Sequence, residues 1–177
     1  GLADRTLVVF TSDNGGTPRA VNKPLRGFKG STWEGGMRVP TIAWWPGRIP
    51  AGTASDAICG MFDILPTFAG LAGAKVPGDR KIDGVDIWPQ LAGQADANTA
   101  HEVFYYFRGL RLEAVREGDW KLVLPAPAGN AAATAPAKGT PTSQVSTRPA
   151  AAPMLFNLQT DIGESMDVAA IHQEIVA

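Results

Sequence analysis

Leu7-Val8-Val9-Phe10-Thr11-Ser12-Asp13-Asn14-Gly15-Gly16 is the stretch on which the fold class turns. An apolar run of this length, rich in β-branched residues, suits a strand buried on both faces of a parallel sheet. Gly15-Gly16 lets the chain turn sharply and brings its backbone close to a neighbour or ligand. Asp13 and Asn14 then stand at the strand's carboxyl end, the edge of an open α/β sheet where ligands and metals collect. Taken alone, Asp-Asn-Gly-Gly is also ordinary turn chemistry.

Working outward, Thr17 to Pro40 is rich in Gly, Pro and basic residues and lacks the apolar periodicity of a long helix, so it reads as a structured loop. It carries Arg26, Lys29, Glu34 and Arg38 among Gly27, Gly30, Gly35 and Gly36. Arg26 and Lys29 are cations that could approach an oxyanion, and Lys29 can bind as a point charge or donate a proton. Glu34 and Arg38, four apart and opposite in sign, read as holding the loop's shape. Val39 to Trp45 predicts a short strand ending at Pro46-Gly47.

Asp63 predicts the cap of a helix over Ile64 to Leu71, with Pro66 in its first turn and Leu65, Phe68 and Leu71 spaced at i, i+3 and i+6. Lys75 to Gln94 reads as a loop with one helical turn near Trp88-Pro89-Gln90-Leu91. Val103 to Phe107, Leu112 to Arg116 and Trp120 to Leu124 then form an antiparallel meander, with Met154 to Leu158 as its fourth strand. Pro125 to Pro153 is almost all Ala, Pro, Thr, Ser and Gly and reads as a mobile, low-complexity insertion. Val168, Ile171 and Ile175 predict a last helix within Met166 to Val176 that folds back on the sheet.

The composition admits one globular domain, or one with an appendage: 177 residues, 45% hydrophobic, 19% charged. A net charge of -1 and a pI near 6.1 exclude a general pull toward nucleic acid or acidic membranes, so anion recognition must come from a few local cations. A single cysteine, Cys59, excludes an internal disulfide framework and a multi-cysteine zinc site, and reads as a small buried thiol. No run of about 18 apolar residues could span a bilayer. Since a buried parallel strand follows the first few residues directly, the reading expects a C-terminal fragment of a larger protein.

In family order, three segments resemble the sulfatases, the formylglycine-dependent arylsulfatases of the alkaline phosphatase superfamily. They are Thr11-Ser12-Asp13-Asn14-Gly15-Gly16, the loop Pro24-Leu25-Arg26-Gly27-Phe28-Lys29-Gly30 through Trp33-Glu34-Gly35-Gly36-Met37-Arg38-Val39-Pro40, and Trp45-Pro46-Gly47-Arg48-Ile49-Pro50-Ala51-Gly52. Asp63-Ile64-Leu65-Pro66-Thr67, Ile82-Asp83-Gly84-Val85-Asp86, Ala114-Val115-Arg116-Glu117-Gly118-Asp119-Trp120-Lys121-Leu122 and Leu155-Phe156-Asn157-Leu158 look like its later landmarks.

The resemblance implies an α/β fold: the C-terminal part of an alkaline-phosphatase-like α/β sandwich over residues 1–98, and a small C-terminal antiparallel sheet with a terminal helix over 99–177, interrupted at 125–153. It implies a sulfuric ester hydrolase in which Asp13 and Asn14 are ligands of Ca²⁺, with Mg²⁺ possible, and Lys29 contacts the sulfate and the leaving-group oxygen. The formylglycine nucleophile is expected upstream, since Cys59-Gly60-Met61-Phe62-Asp63 does not match the family's Cys/Ser-x-Pro-x-Arg motif. His101 and His172 match no catalytic position and read as packing or surface histidines. The implied substrate is a small-molecule sulfate ester or sulfated glycan, with no nucleic acid and no membrane span, and with the missing N-terminal part of the enzyme as partner. The implied compartment is periplasmic or secreted. A phosphodiesterase or phosphonate hydrolase of the same superfamily, or a non-catalytic truncated product, are the alternatives, and the chain alone is expected to be inactive.

Overall fold

The computed structural model describes residues 1–94, 100–125 and 152–177. Its elements are β1 (Val8–Phe10), α1 (Glu34–Met37), β2 (Ile42–Trp44), α2 (Ile64–Leu71), α3 (Trp88–Leu91), β3 (Val103–Arg108), β4 (Arg111–Glu117), β5 (Trp120–Val123), β6 (Met154–Asn157) and α4 (Gln173–Val176). They fall into two compact units, Gly1–Asp13 with Pro40–Glu102, and Asn14–Val39 with Val103–Ala177.

In the first unit β1 pairs with β2, and the pairing is antiparallel, Val8 opposite Trp44 and Phe10 opposite Ile42. The sequence predicts a parallel strand buried on both faces; instead Val8, Phe10, Ile42 and Trp44 share one face by the two-residue period of a strand and are 47%, 64%, 63% and 50% exposed. The apolar run is real, but nothing among the described residues covers this face. Thr11 and Thr41 hydroxyls meet at 2.9 Å just beyond the paired residues.

Helix α2 spans the predicted Ile64 to Leu71, and the turn at Trp88 to Leu91 also forms. Asp63 precedes α2, yet its side chain makes no cap bond to that helix. Its carboxylate accepts the Gly60 N–H (2.6 Å) and the Val85 N–H (2.9 Å) and lies 2.9 Å from His101 Nε2. Thr67 Oγ1 donates to the Asp63 carbonyl and accepts the Ile87 N–H, so a helix, a preceding turn and a distant loop share one buried polar knot.

The second unit is built on the meander, in the order β3-β4-β5-β6 with every pairing antiparallel. Tyr106, Ala114, Val123, Phe156 and Leu158 form its core, and Trp33 from the Asn14–Val39 segment packs against them, meeting Phe156 edge to face at 5.8 Å. Most of the predicted insertion, 126–151, lies outside the described residues. The last segment does return to the sheet, through Val168 N–H to the Leu155 carbonyl and Leu155 N–H to Asp167 Oδ1. Only Gln173–Val176 of it is helical. Asp161 accepts the N–H groups of Ser165 and Met166, and Asp167 that of Ala169, and such local side-chain bonds compete with helix formation.

Candidate functional site

Beyond β1 the chain reaches Asp13, which is exposed and closes its part of the first unit, then Asn14, half-buried, which opens the second. Gly15 is buried, and its N–H donates to the Gly36 carbonyl at 3.0 Å. A Cβ at Gly15 would collide with the Gly35 carbonyl, so only glycine allows the two segments this close. Lys29 N–H donates to the Gly16 carbonyl at 2.9 Å. Two backbone bonds thus stitch the residues after Asn14 to the loop that carries Lys29, whose side chain is exposed.

The loop holds its shape from within. Asn22 Nδ2 lies 3.1, 3.0 and 2.9 Å from the carbonyls of Gly16, Gly27 and Gly35, and Gly35 N–H donates to Arg26 O at 2.7 Å. Arg38 Nε meets Glu34 Oε2 at 2.7 Å, the shape-holding pair that the spacing predicts. Arg26 does not offer its charge to an oxyanion. Its guanidinium lies 3.8 Å over the Trp33 ring and donates to the Glu164 carbonyl at 2.8 Å, and burial pulls its pKa down against the opposing charges of Glu164 and Asp161.

Behind the loop lies a buried ionic cluster. Lys121 is fully buried, its Nζ 2.8 Å from Glu34 Oε1, 2.8 Å from Glu164 Oε1 and 2.7 Å from the Thr32 carbonyl. Tyr106 Oη donates to Glu34 Oε1 at 3.1 Å, and the Glu34 N–H donates to Glu164 Oε2 at 2.7 Å. Burial pushes the Glu34 carboxyl up, but Lys121 and Arg38 outweigh it and hold it below the usual glutamate value. At Glu164 burial wins over Lys121 and the carboxyl is raised. Sequence reading missed Asn22, Lys121 and Glu164; for Lys121 a signal existed, because the strand period places it on the same face as Val123, a core residue.

The remaining candidates are soon placed. His101 packs edge to face on Phe62 at 5.3 Å and sits on Asp63, and His172 rests on Trp120 at 4.9 Å, both in the packing roles predicted for them. Cys59 is exposed and not a buried thiol, though partial desolvation and the nearby Asp63 charge push its pKa up to about 11.

The donor set at the turn is a carboxylate and an amide carbonyl, both hard oxygens, which fits Ca²⁺ or Mg²⁺ in kind. Among the described residues no group of three or more His, Cys, Asp or Glu side chains gathers as a metal site. Two donors fall short of the six to eight oxygens, by rough count, that Ca²⁺ takes.

A strand ending in hard oxygen donors, a glycine-lined loop presenting a lysine and a C-terminal four-stranded meander together define a sulfatase-type architecture. The sulfatase family model matches residues 1–74, and the model for the C-terminal region of aryl-sulfatase matches residues 99–177. The chain belongs to the sulfatase family. Over 127 residues it is 45% identical to N-acetylgalactosamine-6-sulfatase of Canis lupus familiaris, a match covering 68% of this chain and 24% of that protein. Over 126 residues it is 43% identical to steryl-sulfatase of Mus musculus, covering 66% and 20%. The crystal structure of the PsFucS1 sulfatase from Pseudoalteromonas sp. superimposes with a TM-score of 0.77 at 30% identity, covering 98% of this chain and 34% of that one. The chain thus spans about a quarter of the length of the curated relatives it matches.

Proposed function

We propose that these residues form part of the active site of a sulfuric ester hydrolase, with Asp13 and Asn14 holding a divalent cation and Lys29 contacting the sulfate. The observation that carries this is the stitching of the turn after Asn14 to the Lys29 loop, in a chain matched in order by both sulfatase family models. A bound Ca²⁺ or Mg²⁺ supplies Lewis-acid polarisation of the sulfuryl oxygens. Asp13 contributes a full negative charge to that ion and Asn14 a neutral carbonyl oxygen. Lys29 supplies three N–H donors on a flexible stem, one set against a sulfuryl oxygen and one against the ester oxygen, where its proton meets the charge that develops as the alcohol leaves.

The nucleophile, a formylglycine by family resemblance, is contributed from outside these residues. Division at 98/99 into catalytic-domain and sheet portions, and a periplasmic or secreted location, belong to the same proposal. The two relatives are named for a sulfated amino sugar and a sulfated sterol, so the substrate class is the sulfate ester itself. No described helix is long and apolar enough to cross a membrane.

Turnover of nitrophenyl sulfate and of bis-nitrophenyl phosphate by the complete enzyme containing this chain tests the reading. The sulfate monoester is expected to be the better substrate, and a strong excess for the phosphate diester would contradict the assignment in favour of a phosphodiesterase.

A further inference from the structure

We propose that Lys121, on strand β5 of the C-terminal sheet, is a positioning residue for Lys29, locking the loop that presents it by bridging Glu34 and Glu164. This inference rests on the proposed role of Lys29.

Two segments far apart in the chain, the Lys29-bearing loop and the turn after β6, meet at one ammonium group on β5. Glu34 is the first residue of α1 and is 1% exposed, Glu164 lies in the turn after β6 and is fully buried, and Thr32 offers its carbonyl from the loop itself. The Nζ of Lys121 also lies 4.2 Å over the Tyr106 ring, so a ring face and three oxygens surround the charge. Without that cation two buried carboxylates would face each other, and the Glu34 N–H bond to Glu164 Oε2 would bring their charges together. Lys121 is therefore what allows Glu164 to reach the loop.

The backbone at Glu164 supports a built device. It has φ +52, a left-handed conformation that L side chains other than Asn and Asp seldom adopt, and it is the one non-glycine residue to do so among the described residues. In that conformation its carboxylate faces Lys121 and the Glu34 N–H while its carbonyl accepts from Arg26. Strain of this kind persists only where the surroundings over-determine it. Arg26 and Glu34 flank Lys29 on either side, and Gly35, next to Glu34, donates back to the Arg26 carbonyl. Both ends of the Lys29-bearing turn are thus tied to Glu164, and Glu164 is tied to Lys121.

Amide hydrogen exchange on the 177-residue chain tests this without reference to activity. Lys121→Met is expected to speed exchange at the Lys29 and Gly35 amides about tenfold or more while the paired β3 and β4 amides keep their protection. Val123→Ala, a core change two residues along the same strand, is expected to act on the sheet amides instead. Uniform acceleration in Lys121→Met, or none at Lys29 and Gly35, overturns the proposal. Should Lys121→Met fail to fold, Glu164→Gly carries the same test with the same two outcomes, since it removes the carboxylate that Lys121 holds against the Glu34 N–H while glycine accepts the positive φ. In the complete enzyme Lys121→Met is then expected to lower kcat for an aryl sulfate about tenfold or more with KM within about twofold, since a displaced Lys29 weakens the transition state more than binding. A KM effect with kcat intact contradicts positioning. An enzyme with no sulfatase turnover at all would overturn the functional reading, while hydrogen exchange would still decide the link between Lys121 and the loop.

Discussion

Glu34 and Glu164 share one lysine yet titrate in opposite directions, and the sign of each shift sets a different pH dependence. Glu34 has a folded pKa below its ordinary 4.5, so its ionised form stabilises the fold above that pH and the contribution is lost as pH falls through the folded value. Glu164 has a raised folded pKa, so its ionised form is penalised in the fold, and protonation relieves the penalty as pH falls through the folded value toward 4.5. Thermal melts across pH should therefore show Glu34→Gln losing part of the acid-side decline below 4.5, and Glu164→Gln losing a gain above it. The same pH trend in both variants would contradict the assignment. At this scale the sequence displayed the groups proposed to face the substrate and hid those that support their loop. Asp13, Asn14 and Lys29 stand in motifs of distinctive spacing, whereas Asn22 and Glu164 act through carbonyls and turns far away in the chain, which no local pattern reports.

Among the elements, those governed by local chemistry were read nearly to the residue. The meander follows from β-branched and aromatic segments separated by Gly109 and by Glu117-Gly118-Asp119, and both glycines take positive φ, 58 and 54. Helix α2 follows from its spacing and from Pro66 in its first turn. The last helix shrank because the Val168 N–H and the Asp167 carboxylate bond the backbone of Leu155 and hold that part of the segment along β6, and β1 took an antiparallel partner because strand direction is a tertiary choice that apolar content does not encode. The loop around Lys29 leaves no room for an added side chain at Gly35. A Cβ at Gly35 would lie 2.5 Å from the Gly27 carbonyl oxygen and 2.6 Å from that of Arg26, so Gly35→Ala should cost about 2 kcal/mol or more. Gly78→Ala, where a Cβ meets nothing within 4 Å, should stay within about 0.5 kcal/mol of wild type. Equal stability of the two variants in denaturant melts would show that the loop is looser than its geometry.

Across the whole molecule, the order of motifs identified the family while the exposed surface records what the sequence of one chain leaves uncovered. Val8, Phe10, Ile42 and Trp44 form one apolar face, and Leu65 and Phe68 on α2 are 57% and 42% exposed. Contiguous apolar faces of this kind favour association. The 177-residue chain by itself is expected to sediment as oligomers, with Phe10→Glu combined with Ile42→Lys shifting it toward monomer; a wild-type chain that stays monomeric at tens of micromolar would contradict this. It is also expected to lack sulfatase turnover alone, since two metal donors and one lysine are less than the chemistry requires.

The central claim is that Lys29 meets the sulfate at the reacting centre, and kcat/KM for nitrophenyl sulfate in the complete enzyme carrying Lys29→Ala tests it most directly. Loss of one aimed donor at a developing charge predicts a fall of about a hundredfold or more with the fold intact. A Lys29→Ala enzyme that hydrolyses the ester at the wild-type rate would contradict the account.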